Sequence, residues 1–445
     1  MSPITDQPSQ QAFPAIAKRA ALWLLFLASF FYSTYGFANW AAAQHEHVGS
    51  IVYDWERAIP FLAWTIIPYW TINAFYAVSL FINRTTQGVD RLAGRYLTAQ
   101  LIAVACFLAF PLAASFTRPE TSGLPGFMFD VLGGFDKPFN QAPSLHIALT
   151  VIIWDHLRRR VSGAIRLAWH IWCFLIAASV LTTYQHHFID IPTGALLGLF
   201  ALWLFPADGP LPFSDVRWTA DAKSRRLSAY YALGGALCLL ASIVGTSWQS
   251  ATWLVLLWPA LALAMVAFGY FGAGAKMFQK SADGCVSLAS RWLLWPYRLG
   301  ARINAWAWTR KIAPAVEIAD GVWLGRFPFG DEADRYAAVV DLAAELERPP
   351  VAPNWCAFPM LDLVGPSQAD VDAAARTVEV ARQNAPGGKV LVCCALGFQR
   401  SARVVARWLV ATDRAPDEAT AIMRIRACGR PVVLHGHGNI AAVDV

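Results

Sequence analysis

Cys394 ends an apolar run, Val390-Leu391-Val392-Cys393-Cys394, and Arg400-Ser401 follow after the loop Ala395-Leu396-Gly397-Phe398-Gln399. Those residue types at that spacing suit attack of a thiolate on a phosphate ester. A loop between strand and helix can turn its backbone N–H groups inward as an anion nest. The helix expected from about Ser401 to Thr412 adds its positive N-terminal end. Arg400 can grip two phosphate oxygens with its planar fork. The same positive field favours the thiolate of Cys394 at neutral pH. Gly397 permits the close turn, and the Ser401 hydroxyl can stabilise the thiolate as it leaves a phosphocysteine. A bare Cys-x5-Arg pair is a weak signal in a chain with eight cysteines. Strand run, glycine, Arg-Ser pair and helix together make it specific.

A second constellation is built on histidine. Arg118-Pro119, Pro143-Ser144-Leu145-His146 and His186-His187-Phe188-Ile189-Asp190 each stand at the end of a long apolar stretch. Ser144 reads as a helix N-cap, so free amides and the helix dipole make an anion site beside it. His186 and Asp190 are spaced i, i+4, on one face of a helical turn. A carboxylate on one imidazole nitrogen fixes the tautomer and leaves the other nitrogen nucleophilic. His146 can protonate a leaving oxygen, and Arg118 can balance phosphate charge. His187 and His170 read as ordinary interfacial residues. His435 and His437 form too small a ligand set for a metal, and no cofactor is expected.

The elements that position these residues follow from composition. The chain has 445 residues, 56% hydrophobic and only 15% charged, a membrane composition too long for one ordinary domain. Eight apolar stretches, roughly 20–43, 60–82, 96–116, 144–157, 164–183, 189–206, 227–247 and 251–273, are long enough or nearly so to span a bilayer. The first reads as a retained helix, not a removed signal.

Lys18 and Arg19 precede the first stretch, and Arg84, Arg91 and Arg95 separate the second from the third. Arg158, Arg159, Arg160 and Arg166 separate the fourth from the fifth. Arg217, Lys223, Arg225 and Arg226 follow the sixth, and Lys276 and Lys280 follow the eighth. Alternate loops carry few basic residues. The positive-inside rule therefore places both termini in the cytoplasm and the histidine constellation outside, in a multi-pass protein of the inner (plasma) membrane. The net charge of +6 reads as this topology signal, and no nucleic-acid partner is expected. The cysteine chemistry then sits in a reducing compartment, and no disulfide framework is indicated. Between Cys285 and Lys311, four tryptophans alternate with arginines, which suits an amphipathic segment on the anionic leaflet.

The region from about Ala315 to Val445 resembles a dual-specificity, cysteine-dependent protein phosphatase. The matching pieces are Asp320-Gly321-Val322-Trp323-Leu324-Gly325, Val339-Val340-Asp341-Leu342, Phe358-Pro359-Met360-Leu361-Asp362, the Cys394–Arg400 loop, and Ile425-Arg426 through Arg430-Pro431. The resemblance implies a general-acid aspartate upstream of the cysteine. Asp362, at a strand end before Gly365-Pro366-Ser367, is the best match, and Asp341 is the runner-up. The acid would protonate the leaving oxygen and then activate water. The family usually carries His just before the cysteine; Cys393 stands there in this chain.

Residues 95–206 resemble the type 2 phosphatidic acid phosphatase superfamily, and especially its inositol phosphorylceramide synthase-like branch. Pro143-Ser144-x-His146, His186-x3-Asp190 and Arg118-Pro119 carry the match. Leu145 replaces the usual Gly, Ser179-Val180 replaces a Ser-Arg, and Pro111 stands where the first motif has Lys. By this resemblance His186 forms a phosphohistidine.

The expected fold is an all-α polytopic helical bundle followed by an α/β cysteine-phosphatase domain. Its divisions are a cytoplasmic tail at 1–19, a membrane domain at 20–273, an interfacial linker at 274–312 and the phosphatase-like domain at 313–445. The expected function is a bifunctional membrane phosphatase. One site would act on a phospholipid or lipid phosphate outside, and the other on a phosphoprotein or phospholipid in the cytoplasm. Two other readings stand beside it: headgroup transfer at the histidine site, and a cysteine domain that senses phosphate without turnover.

Overall fold

The computed structural model describes residues 13–433 apart from 249, 351 and 353. His435 and His437 lie outside the described residues. Contacts divide the chain into two compact units, Met1–Leu211 and Pro212–Val445.

The first unit is helical. It comprises α1 (Phe13–Ala42), α2 (Ile66–Phe81), α3 (Thr86–Ala109), α4 (Gly123–Phe135), α5 (Leu145–Arg158), α6 (Gly163–Thr182) and α7 (Asp190–Leu204). The second opens with α8 (Ala222–Trp248) and α9 (Leu257–Phe268), which continues through a π-helical turn at Gly269–Ala273. Among the described residues, Phe13–Ala42, Thr86–Ala109, Gly163–Thr182, Ala222–Trp248 and Ala251–Phe278 are long and apolar enough to cross a membrane.

All eight expected stretches are helical, but three are short. The 14 residues of α5 rise only about 21 Å, against a hydrocarbon core of about 30 Å. Helix α4 was not expected, and it occupies what reads as a loop around Gly126.

Several basic residues taken for loop charges lie inside helices. Lys18 and Arg19 are in α1, where Arg19 pairs with Asp90 at 2.7 Å. Arg91 and Arg95 are in α3 and donate to the carbonyls of Phe205, Pro206, Ala207 and Gly209 at the end of α7. These guanidiniums tie α3 to the turn that follows α7.

Helices α5 and α7 pack backbone to backbone. A Cβ on Gly194 would meet the Ser144 carbonyl oxygen at 2.5 Å, and one on Gly198 would meet that of Ala148 at 2.7 Å. The i, i+4 glycines form the small-residue stripe that lets apolar helices approach closely.

In the second unit, α10 (Leu288–Leu293) and α11 (Trp295–Thr309) connect the helical hairpin to a five-stranded sheet. Its strands are β1 (Ala315–Ala319), β2 (Val322–Arg326), β3 (Ala338–Ala343), β4 (Asn354–Met360) and β5 (Val390–Cys394), in the order β1-β2-β5-β3-β4. The β1/β2 hairpin is antiparallel; the other pairings are parallel. Asp320 and Gly321 both take positive φ at the hairpin turn, the conformation a two-residue hairpin loop needs.

Helices α12 (Gln368–Asn384), α13 (Arg400–Ala411) and α14 (Glu418–Ala427) complete the α/β part. The central strand β5 is wholly buried, as a parallel strand covered on both faces must be. Period-2 alternation sends Val390, Val392 and Cys394 into one core with Val404, Val405, Trp408 and Leu409 of α13. It sends Leu391 and Cys393 into the opposite core with Phe327 and Trp355.

Candidate active sites

Cys394 stands at the C-terminal end of the central strand, where open α/β sheets place their ligands. Its Sγ lies 3.3 Å from Ser401 Oγ and accepts from the Gly397 amide at 3.2 Å. Gly397 has φ of 80°, and a Cβ there would lie 2.4 Å from the Gly325 carbonyl, so only glycine fits. Helix α13 starts at Arg400 with no side chain capping it, which leaves its first amides open to the loop.

Arg400 is fully buried. Its two terminal nitrogens form a fork on the Glu345 carboxylate at 2.9 and 2.7 Å, and one also reaches the Met360 carbonyl at 2.9 Å. Asp362 Oδ1 is 3.1 Å from the same guanidinium. Arg400 Nε is buried with no hydrogen-bond partner among the described residues. The carboxylates of Asp362 and Glu345 outweigh burial and hold the arginine well above its ordinary pKa. Burial alone would raise Glu345, but the arginine outweighs it and holds Glu345 below the usual glutamate range.

The structure thus brings Cys394, Gly397, Arg400, Ser401 and Asp362 together. Sequence reasoning missed Glu345, which orients the arginine, and Arg430 as a brace of the loop. Arg430 donates to the carbonyls of Leu396, Gly397 and Ala313 from behind the loop, and burial lowers its pKa to about 10. Glu345 follows β3 in a run of small and apolar residues, and nothing in that run marks it.

Asp341, the runner-up acid, has a different task. It is fully buried, bonded to the Lys280 ammonium, and accepts from Trp355 Nε1 at 3.1 Å and the Ala343 amide at 2.9 Å. Burial raises its pKa against the pull of Lys280. Lys280, read as a loop charge, also donates at 2.6 Å to the carbonyls of Ala343 and Leu346. Cys393 is pushed well above the ordinary thiol range by burial, with Asp341 adding to the effect.

The histidine set converges in the first unit. His186 Nδ1 is 3.1 Å from Asp190 Oδ2, and its Nε2 is 3.3 Å from Ser144 Oγ. Ser144 caps α5 as expected, accepting from the Ile147 amide at 3.3 Å. His146 stacks on Tyr69 with ring centroids 4.0 Å apart, and its Nε2 is buried without a partner. Both imidazoles line a cavity of about 80 Å³ with Tyr35, Asn73, Asp136 and Asn140 among its walls. Among the described residues, no Lys or Arg lines it.

Arg118 is not brought to that cavity: its guanidinium lies 4.4 Å over the Phe129 ring. His187 is no loose interfacial residue. It is buried, its Nε2 accepts from the Ser115 amide at 3.0 Å, and its Nδ1 lies 3.5 Å from Glu56. His170 accepts from the Trp154 indole at 2.7 Å. Sequence reasoning missed Asp136, and it missed the Gly194–Gly198 spacing, which was legible as a small-residue stripe.

No protein-family model matches the chain, and no curated protein matches it. Among solved structures, the protein tyrosine phosphatase Tk-PTP in its active form is 26% identical, with a TM-score of 0.25 over 28% of this chain and 88% of that one. A mutant form of Tk-PTP is also 26% identical, with a TM-score of 0.23 over 26% of this chain and 81% of that one. Functional meaning therefore rests on the geometry of the two sites.

Proposed function

We propose that the chain is an integral membrane phosphoesterase whose C-terminal part hydrolyses phosphomonoesters through a phosphocysteine. The observation that carries this reading is the loop after β5: a thiol 3.2 Å from the Gly397 amide and 3.3 Å from Ser401 Oγ, beside a buried arginine with one open donor. Cys394 Sγ attacks phosphorus in line, and the phosphorus–oxygen bond to the alcohol breaks. Asp362 gives its proton to that leaving oxygen. Water then attacks the phosphocysteine while Asp362 takes back a proton, and inorganic phosphate and the thiolate are released, Ser401 meeting the thiolate charge. Arg400 and the loop amides hold the equatorial oxygens throughout.

A second phosphoester site at His186 is part of the proposal, in keeping with the resemblance to the type 2 phosphatidic acid phosphatases. His186 would take the phosphoryl group, Asp190 would fix its tautomer, and His146 would supply the proton. One observation favours transfer to an alcohol over hydrolysis there. The cavity wall sets two tyrosines, two asparagines, two histidines and one aspartate among five apolar side chains, with no Lys or Arg among the described residues, a lining that suits a neutral alcohol acceptor better than a second anion.

The test is hydrolysis of an aryl phosphate by the purified full chain. Cys394→Ser should abolish it while phosphate still binds. Turnover at the unmodified rate in Cys394→Ser would end the phosphocysteine mechanism.

A further inference from the structure

We propose that the phosphomonoester taken by the cysteine site is carried by a membrane lipid, with Lys223 of α8 as a second cation for its headgroup. This rests on the phosphocysteine reading above and assigns its substrate class.

The acid loop is fastened to the membrane hairpin. Tyr270, in the π-helical turn that ends the apolar segment Ala251–Phe278, donates its hydroxyl to the Asp362 carbonyl at 3.0 Å. Ser224, in the first turn of α8, donates to the Tyr270 carbonyl at 2.7 Å. Tyr231, two turns further along α8, stacks on Tyr270 with centroids 5.4 Å apart. So the general-acid candidate hangs from the ends of two helices that can each cross a bilayer.

Lys223 precedes Ser224. It is half-buried and has no ion-pair partner among the described residues. A lysine in the first turn of a spanning helix sits at headgroup level, where its stem lies on apolar surface and its ammonium meets lipid phosphate.

The other side of Arg400 is bounded in the same way. Arg298 of α11 donates to the Glu345 carbonyl at 3.1 Å, and Glu345 holds Arg400. Helix α11 and the end of α10 present Trp292, Trp295, Leu299, Ile303 and Trp306 outward, each at least 40% exposed. That spacing follows one helical face. Asp362, one of the two groups that position the guanidinium, is tied through Tyr270 to the end of the spanning hairpin, and Glu345 is tied through Arg298 to this amphipathic face. The loop residues Leu396 and Phe398 are partly exposed and add apolar surface without further charge. A lipid phosphate can meet such a site by lateral diffusion, whereas a folded phosphoprotein must approach past the headgroups.

The experiment uses the full chain carrying His186→Ala, so that only the cysteine site can act, reconstituted in phosphatidylcholine vesicles. Substrates are dioleoyl phosphatidate at varied surface mole fraction, a phosphotyrosine peptide and an aryl phosphate. The lipid should be preferred over the peptide by at least roughly ten-fold in kcat/KM. Its turnover should follow mole fraction in the bilayer and not bulk concentration. Lys223→Ala should raise KM for the lipid about ten-fold, with a weaker salt dependence, as loss of one headgroup cation requires. Preference for the peptide, or a lipid KM untouched by Lys223→Ala, would overturn the assignment while leaving the phosphatase reading intact. If no substrate, the aryl phosphate included, shows Cys394-dependent hydrolysis, the phosphatase reading falls and the lipid assignment with it.

Discussion

At Cys394 the charge is concentrated and paired, save for Arg400 Nε. One arginine is clamped by Glu345 and Asp362, and a second, Arg430, is fixed to three loop and linker carbonyls. At His186 the polar groups are imidazole, hydroxyl, amide and carboxylate, and among the described residues no Lys or Arg lines the cavity. The first arrangement is preorganised for a dianion, since its donors need not move when charge develops. The second can shift a proton between Asp190, His186 and Ser144 but has little with which to hold a doubly charged phosphate.

The comparison breaks most easily at the two nucleophiles. Cys394→Ser should lower aryl phosphate hydrolysis by at least roughly a thousand-fold and leave a His186-dependent lipid activity unchanged. Cys393→Ser, on the opposite core face, should keep most of the activity. In the other unit, His186→Ala, His146→Ala and Asp190→Ala should each cost nearly as much as all three together, because they act as one relay. Labelled phosphodiester lipid with an acceptor alcohol is the assay. Phosphodiester lipid turnover that survives His186→Ala and vanishes in Cys394→Ser would leave the first unit as an anchor only.

Glu345→Gln sharpens the contrast at the next level. Removing one partner of a buried ion pair costs about 3–5 kcal/mol, read as a lower unfolding midpoint of the second unit, and kcat should fall with it. The sign with pH follows from the direction of the Glu345 shift. Its folded pKa lies below the unfolded one, so its stabilisation is present above the ordinary glutamate range and is lost as pH falls through the folded value. The gap between Glu345→Gln and the unmodified protein should therefore be widest near neutrality and close on acidification.

Gly198→Leu tests the packing beneath the histidine site. Overpacking α5 against α7 should cost about 1–3 kcal/mol and lower lipid turnover by separating His186 from Ser144, with aryl phosphate hydrolysis unaffected. His187→Ala is unsuited as a neutral control, because its ring ties Ser115 to Glu56.

Topology gives the smallest signal. Glu120→Cys should react with an impermeant thiol reagent added to intact cells, and Ser162→Cys should not. Equal labelling would end the expectation, drawn from the basic loops, that these segments face opposite sides.

What the amino-acid sequence determined by itself was local. Apolar runs mark the helices, because a bilayer or a core demands them wherever they fall. The strand, Gly397, Arg400 and Ser401 lie within one short stretch, so their chemistry is legible without a fold. Ser144 as a cap and the i, i+4 pair His186 and Asp190 are equally local.

Tertiary structure decided everything that depends on a partner distant in sequence. It made Asp341 a buried anchor for Lys280 and left Asp362 beside Arg400. It supplied Glu345, 55 residues before the arginine it orients. It bonded Arg91 and Arg95 to the turn after α7, and it placed Arg118 over Phe129. A charged side chain looks the same in sequence whether it meets water, a helix end or a counter-charge. Which of these it meets is set by the desolvation and pairing that only packing imposes.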